Sequence, residues 1–375
     1  MAEDRCGRAR GVNRTGIGPN SHSTADTDVP ARQSRRQRRS LIRSMAAGVR
    51  VAASVIGVST LLAGVAGVWA LHSLGPQFGV YLVKPSPQRY ADIALDLMEN
   101  GYYAAGPEWA AQRAEVEAKA EGATSMGELH APLAAAVEAA GGKHSFLLEP
   151  TEVERWSISA LDEFSAPTVT TADGITTVTV PAVGAVSEEM QRHYARTAAS
   201  GIVDAADQTC GWIIDLRGNT GGTMYPMLSG MTPLLPNGTA MTFRTRTGAD
   251  TPVTIYEDGA GIGRTAISVG VVTKIADQPV AVLQDAETAS SGEAVLASFR
   301  GLDNIRSFGT NSAGYTSANS ARPLFDGALL VLTESLYVDR NGMSLAEEPI
   351  LPDYVTSPEN AEEAARAWLQ DRGCN

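Results

Sequence analysis

The chain has 375 residues, of which 43% are hydrophobic and 37 are glycine, a composition typical of a globular protein with a sizeable core. The formal net charge of −12 is unevenly spread: residues 1–50 contain 11 arginines and four acidic residues, a net +7, so the rest carries −19. An acidic body of this kind argues against nucleic-acid binding and favours cationic partners.

Residues 1–45 are polar and arginine-rich without apolar periodicity, which predicts a disordered basic tail. Residues 51–71 contain no charged side chain and are long enough to cross a bilayer as a helix. Because arginines directly precede this segment, we predict a signal-anchor helix over residues 46–73 with the tail in the cytoplasm. The protein would then be a single-pass protein of the cell membrane with an extracytoplasmic body. A cleaved secretory signal is the alternative, but the apolar run exceeds a typical signal and no convincing cleavage site follows it.

The three cysteines give limited information. Cys6 falls in the predicted tail, so only Cys210 and Cys374 could pair outside the cell. Cys210 begins a strand expected to be buried and Cys374 is next to last, which favours a free core thiol and a frayed terminus over a bridge. The sequence has no histidine or cysteine cluster with metal-ligand spacing, and neither a metal nor another cofactor is expected.

Apolar periodicity after residue 80 predicts a helical cap followed by an α/β core. Residues 86–100, 109–121 and 126–140 have helical spacing and form the cap, assigned to residues 80–150. Over residues 151–375, strands alternate with helices, as in an α/β fold with a mixed sheet. Strands are predicted at 175–180, 212–216, 280–283 and 328–333, with strand pairs through about 256. Helices are predicted at 187–207, 224–235, 291–300 and 358–370.

The most informative residues follow the predicted strand 280–283. Ser290, Ser291 and Glu293 open a helix there, where backbone N–H groups and the helix dipole favour an oxyanion. A serine before a helix is also a common N-cap, so this segment alone is weak evidence. Two further segments strengthen it: the turn DLRGNTGG at residues 215–222 after a buried strand, and His144 in a Gly-flanked loop after the cap helices.

Together these segments resemble the C-terminal-processing (tail-specific) serine peptidase family over about residues 86–356. The resemblance implies a mixed-sheet core of the crotonase/ClpP-like kind and a serine nucleophile. The common form of the family uses a lysine base beyond the serine, but all four lysines here precede Ser290, and Tyr315 stands near the expected position. Of the five histidines, His130 and His193 are expected on helix surfaces, whereas His144 is free to face a cleft. We therefore predict a Ser290–His144 dyad.

The loop GGKHSF, the segment TASSGE, the predicted anchor and the absence of room for a PDZ domain after His144 are similar to the nisin-resistance branch of this family. That branch implies an anchored endopeptidase that cuts a cationic lanthionine antibiotic through a Ser–His dyad. The family spacing puts the nucleophile three residues before Glu293, at Ser290, with Ser291 as the alternative. The expected partners are a peptide substrate and the membrane, without nucleic acid.

The backbone N–H groups of Ser291 and of Gly221 or Gly222 are expected to form the oxyanion hole. The alternative for the two glycines is a turn that requires positive φ, and both can hold. No third triad residue is identifiable from the sequence.

Supporting roles are expected for the remaining motif residues. Asp215, Arg217 and Asn219 should fix the Gly-rich turn, the first two through an ion pair, and Glu293 should stabilise the first helical turn. A catalytically silent peptide- or ligand-binding module on the same fold is the alternative function. An esterase is a third hypothesis, disfavoured because the GxSxG motif is absent around Ser290.

Overall fold

The computed structural model describes residues 67, 71, 73–275 and 277–374. The predicted tail (1–45) and nearly all of the predicted anchor (46–73) lie outside these residues. In the part that is described, no helix is long and apolar enough to cross a membrane.

Three helices form the cap: α1 (Pro87–Met98), α2 (Pro107–Gly122) and α3 (His130–Gly141). Ser86 accepts a hydrogen bond from the Arg89 amide at 3.2 Å, so the Ser-Pro pair starts α1 as predicted. The apolar faces of the helices and residues of the core form one hydrophobic cluster. It includes Tyr90, Leu95 and Leu133 of the cap and Leu330 and Leu332 of the core. This shared burial holds the cap on the core, and the described residues after 70 pack as one compact unit.

The core has the α/β class that was predicted, but its strands form two sheets rather than one mixed sheet. The strands are β1 (Phe146–Leu148), β2 (Thr168–Ala172), β3 (Ile175–Thr179), β4 (Gly211–Asp215), β5 (Gly238–Thr245), β6 (Asp250–Tyr256), β7 (Gly259–Gly261), β8 (Ile267–Ser268), β9 (Val280–Gln284), β10 (Ile305–Gly309), β11 (Ser317–Pro323), β12 (Leu329–Asp339) and β13 (Tyr354–Val355). The remaining helices are α4 (Pro150–Asp162), α5 (Glu188–Ala205), α6 (Met224–Gly230), α7 (Ser291–Phe299) and α8 (Ala361–Gln370).

The first sheet has the order β13-β10-β9-β4-β3-β2 and is parallel except for the β2–β3 pair. The second has the order β1-β12-β5-β6-β7-β8, with β11 also paired to β12, and is antiparallel throughout. Strands β4 and β9 are adjacent in the parallel sheet and buried, which explains their continuous apolar sequences. Their carboxyl ends lie at one edge of the sheet, where ligand sites of open α/β sheets form.

Several elements were not predicted from the sequence. Helix α4 and strands β1, β2, β10 and β11 are the main additions. Strand β11 has the sequence SANSARP, whose residues have low strand propensity, and it forms because it pairs along the apolar β12.

The C-terminus is joined to the parallel sheet by a disulfide between Cys210 and Cys374, whose Cα atoms are 5.3 Å apart. The expected free thiol and frayed terminus are therefore wrong. Trp368 and Leu369 of α8 pack with Ile213 and Phe308 of the sheet, and this burial brings the terminus over Cys210.

We expect Cys374→Ser to lower the free energy of unfolding by about 2–4 kcal/mol, because the bridge closes a long loop of the unfolded chain. Thermal melting with and without reductant measures this. Reductant should lower the melting temperature of the unmodified protein and of Cys6→Ser, but not that of Cys374→Ser. Equal melting temperatures for all three proteins under oxidising conditions would contradict a structural bridge.

Candidate active site

The turn between β9 and α7 holds Ser290 in a backbone conformation that L-residues rarely adopt. Its φ is 50° and its ψ −111°, and its amide donates to Glu293 Oε2 at 2.8 Å. Such a conformation costs of order 1–3 kcal/mol and persists only where neighbouring contacts enforce it. The strand–turn–helix geometry presents Ser290 at the N-terminus of α7, as expected for a nucleophile of acyl transfer.

Asn219 joins this turn to the Gly-rich turn after β4. Its side chain is fully buried, its Nδ2 donates to Val180 O at 2.7 Å, and its backbone oxygen accepts from the Ala289 amide at 2.9 Å. At the mouth of the same turn, Asp215 and Arg217 form a bidentate ion pair with a shortest distance of 2.6 Å. These contacts fix the glycine turn and hold it against Ala289, the residue before Ser290.

Gly221 and Gly222 both require the freedom of glycine, with φ values of 101° and 108°. A Cβ on Gly221 would lie 2.8 Å from Ser290 Cβ, and one on Gly222 would lie 2.0 Å from Val183 O. The Gly221 amide already donates to Asn219 Oδ1 at 2.9 Å, so it is not free to bind a substrate oxygen. The amides of Gly222 and Ser291 have no acceptor within the described chain, and both residues line the cavity next to Ser290.

The two neighbouring serines differ in what their hydroxyls do. Ser291 Oγ donates to Gly222 O at 2.7 Å, so this hydroxyl braces the glycine turn. Ser290 lines the same cavity, and among the described residues its hydroxyl donates no such hydrogen bond to the backbone. The geometry therefore favours Ser290 over Ser291 as nucleophile.

His144 lies in the loop between α3 and β1 and lines the same cavity as Ser290, a space of about 580 Å³. The side-chain Nδ2 of Asn319 donates to His144 O at 2.8 Å, and His144 Nδ1 lies 2.9 Å from Ser317 Oγ. No hydrogen bond joins Ser290 to the imidazole among the described residues. The site thus places both residues on one cavity.

The carboxylate of Glu347 is connected to the His144 imidazole by hydrogen bonds through Ser317. The sequence alone did not indicate this carboxylate. Ser317 Oγ donates to Glu347 Oε1 at 2.7 Å, so Ser317 must accept its other hydrogen bond from His144 Nδ1–H. That assignment leaves His144 Nε2 with the basic lone pair. Tyr103 donates to Glu347 Oε2 at 3.1 Å, and Lys143 Nζ donates to Glu347 O at 2.8 Å. We refer to His144, Ser317 and Glu347 as the histidine relay.

The environment of the relay favours neutral imidazole. Burial, and after it the positive charge of Lys143, lower the pKa of His144 to about 4. Burial and the nearby Glu347 carboxylate raise the pKa of Tyr103 to about 12, so this phenol remains a donor to Glu347. The ring of Tyr315 packs against the ring of His144, with 5.0 Å between their centroids.

Glu293 does more than stabilise the first turn of α7. Besides the Ser290 amide, its carboxylate accepts hydrogen bonds from the Tyr315 amide at 2.7 Å, the Gly314 amide at 2.8 Å and the Ser312 hydroxyl. Burial raises the pKa of this carboxyl group, and the four hydrogen bonds oppose that rise. Glu293 therefore ties the nucleophile turn to the loop that places Tyr315 against His144.

His130 of α3 and His193 of α5 do not line this cavity. His193 is exposed, as expected, but His130 is buried with Nε2 2.7 Å from Asp326 Oδ2, contrary to its expected surface position. Within the described residues, no group of three potential ligands from His, Cys, Asp and Glu is arranged to hold a metal ion.

Comparison with known proteins identifies the family. Residues 174–356 match the model of peptidase family S41. The nisin-resistance protein of Lactococcus lactis subsp. lactis is 31% identical over 329 residues, which cover 88% of this chain and 99% of that protein. The chain belongs to peptidase family S41.

Solved structures agree with the S41 assignment. A lipoprotein from Streptococcus agalactiae is 33% identical and superimposes with a TM-score of 0.69 over 78% of this chain and 99% of that one. The photosystem II D1 C-terminal processing protease shares the fold at 13% identity, with a TM-score of 0.55 over 74% of this chain and 94% of that one. The S41 match includes Ser290, whereas His144 precedes the matched residues.

Proposed function

We propose that this S41 peptidase is a membrane-anchored, extracytoplasmic serine endopeptidase in which Ser290 is the nucleophile and His144 the general base. The observation that carries the proposal is that His144 and Ser317, two members of the histidine relay, line one cavity with Ser290. Nδ1 of His144 is engaged by Ser317, so Nε2 is the nitrogen that can take a proton.

In the proposed reaction, the Ser290 hydroxyl gives its proton to His144 Nε2 as Oγ bonds to the carbonyl carbon of the scissile peptide. The oxygen that becomes negative accepts hydrogen bonds from the Gly222 and Ser291 amides, at the positive end of α7. The imidazolium then protonates the leaving amine, and the peptide C–N bond breaks to give an acyl-enzyme. Water then attacks the ester carbon as it gives a proton to His144, the bond from that carbon to Ser290 Oγ breaks, and the imidazolium returns the proton to Oγ as the acid product leaves.

The histidine relay has a defined role in this cycle. Through Ser317, Glu347 stabilises the positive charge that His144 gains and holds the ring in the required tautomer.

Two features support an extracytoplasmic location, and a third fits a cationic substrate. The uncharged segment 51–71 follows an arginine-rich tail, although both lie outside the described residues. The Cys210–Cys374 disulfide fits an oxidising compartment. The acidic balance of the chain after residue 50 would concentrate cationic peptides near the membrane surface.

We propose cationic antimicrobial peptides of the lanthipeptide kind as substrates, in line with the nisin-resistance protein among the relatives. The test is hydrolysis of nisin, and of a linear cationic peptide and its lysine-to-glutamate counterpart, by the full chain in nanodiscs. The cationic peptides should be cleaved with higher kcat/KM, and the difference should shrink as salt is added. Equal rates for the two linear peptides at low salt would reject the charge-based part of the proposal.

The low pKa of His144 predicts an unusual pH dependence. A base must be unprotonated, so kcat/KM should rise as pH increases through about 4 and stay level to neutral pH, whereas an ordinary histidine would place this rise near 6.5. Steady-state rates between pH 3.5 and 8, with circular dichroism to verify folding, measure the position of the rise. A rise centred near 6.5 would show that His144 is not desolvated in the free enzyme.

A further inference from the structure

Helix α4 is unlike the other helices because none of its residues is buried. Each of the other α-helices in the described chain buries at least three residues. Nevertheless α4 carries large apolar side chains: Trp156 is 42% exposed, Ile158 53% and Leu161 54%. A helix with so much exposed apolar surface and so little burial is stabilised less by the core than its neighbours are.

One face of α4 and the residues just after it line the catalytic cavity. Trp156, Ala160 and Phe164 recur at intervals of four residues, the spacing of one helix face, and all three line the space that Ser290 and His144 share. Ile158 and Leu161 do not line it and belong to the outer side of the helix. The cavity is therefore bounded on this side by an apolar wall.

This apolar wall lies close to the turn that contains Gly222. A Cβ on Gly184 would lie 2.7 Å from Ala160 Cβ, so α4 closely approaches the chain at Gly184. The neighbouring Val183 accepts a hydrogen bond from the Thr223 amide at 2.7 Å and is bridged to Gly222. The inner face of α4 is thus connected through Gly184 and Val183 to the turn that contains Gly222.

The rest of the cavity is also poor in charge. Phe146, Tyr225, Phe243 and Val331 contribute to its lining, and Glu163 is the one carboxylate among the described lining residues. Glu163 Oε1 already accepts a hydrogen bond from Ser159 at 2.6 Å. Such a surface gains free energy from contact with apolar side chains and offers little to a lysine side chain.

We propose that the inner face of α4 is a substrate-binding wall, which selects extended peptides with a bulky apolar side chain close to the scissile bond. This inference rests on the proposed peptidase function and adds to it. The acidic surface attracts cationic peptides from a distance, and the cavity selects the apolar residue that is placed beside Ser290.

Binding to Ser290→Ala protein tests this wall independently of turnover. The probes are a blocked hexapeptide with phenylalanine and leucine at its centre, and the same peptide with lysine at both central positions, titrated calorimetrically into the full chain in nanodiscs. We expect the apolar peptide to bind roughly tenfold or more tightly than the lysine peptide. Trp156→Ala should remove most of that difference, whereas Leu161→Ala, on the outer side of the same helix, should preserve it.

Equal binding of the two peptides, tighter binding of the lysine peptide, or identical effects of Trp156→Ala and Leu161→Ala would overturn the proposal. In active protein, the cleavage sites in a mixed peptide library give the second readout, and they should be enriched in bulky apolar residues near the cut. If the unmodified protein hydrolyses no peptide but binding shows the expected preference for the apolar peptide, the result would count against the peptidase function. The proposal of a substrate-binding wall would still hold.

Discussion

Ser290→Ala is expected to lower kcat/KM for peptide hydrolysis by roughly 10,000-fold or more, because it removes the hydroxyl that we propose as the nucleophile. The variant should still fold, since the Ser290 amide that donates to Glu293 is retained. Steady-state hydrolysis of a fluorogenic peptide, with a thermal melt of the same sample, measures both properties.

The neighbouring serine provides the matched control. Ser291→Ala loses the hydroxyl that donates to Gly222 O but keeps its amide, so we expect a loss of at most about tenfold. A result in which Ser291→Ala is inactive and Ser290→Ala is not would move the nucleophile by one residue and refute the geometric argument.

His144→Ala should reduce kcat by roughly 1,000-fold, the scale of a lost general base. Glu347→Gln should cost less, roughly 10- to 100-fold, because the ring keeps Ser317 as a partner but loses the carboxylate that stabilises its charge. The loss in Glu347→Gln should fall on kcat more than on KM, since the carboxylate contacts the imidazole through Ser317 and not the substrate.

His193→Ala is the control for these substitutions, since His193 is an exposed helical residue and should retain full activity. Undiminished activity in His144→Ala would exclude the histidine as base. Equal activity in Glu347→Gln and the unmodified protein would leave the dyad intact and limit Glu347 to a structural role.

The parts of the fold that are local in sequence were predictable. The helices of the cap and strands β4 and β9 carry their signal in apolar spacing and, for α1, in the capping residue Ser86. The division of the strands into two sheets was not predictable in this way, because it depends on which distant strands pair. Strand β11 shows the same limit, since its polar sequence becomes a strand only against β12.

In the candidate site, too, residues in short continuous motifs were predictable, and residues that depend on tertiary contacts were not. Ser290 and the glycine turn were visible because their motifs are short and continuous, and elimination of the lysines and of the other histidines pointed to His144. Glu347 had no local signal, since it reaches the imidazole through Ser317 from a separate loop in the left-handed conformation. The use of the Gly221 amide by Asn219 and the burial of His130 also depend on tertiary contacts that no sequence pattern indicates.

The most direct test of the central claim is labelling of the full chain with a fluorophosphonate, followed by mass mapping of the modified peptide. We expect one label, on Ser290, that is lost in Ser290→Ala and strongly reduced in His144→Ala. Folded protein that carries no label on Ser290, or whose labelling is unchanged in His144→Ala, would contradict a histidine-activated serine.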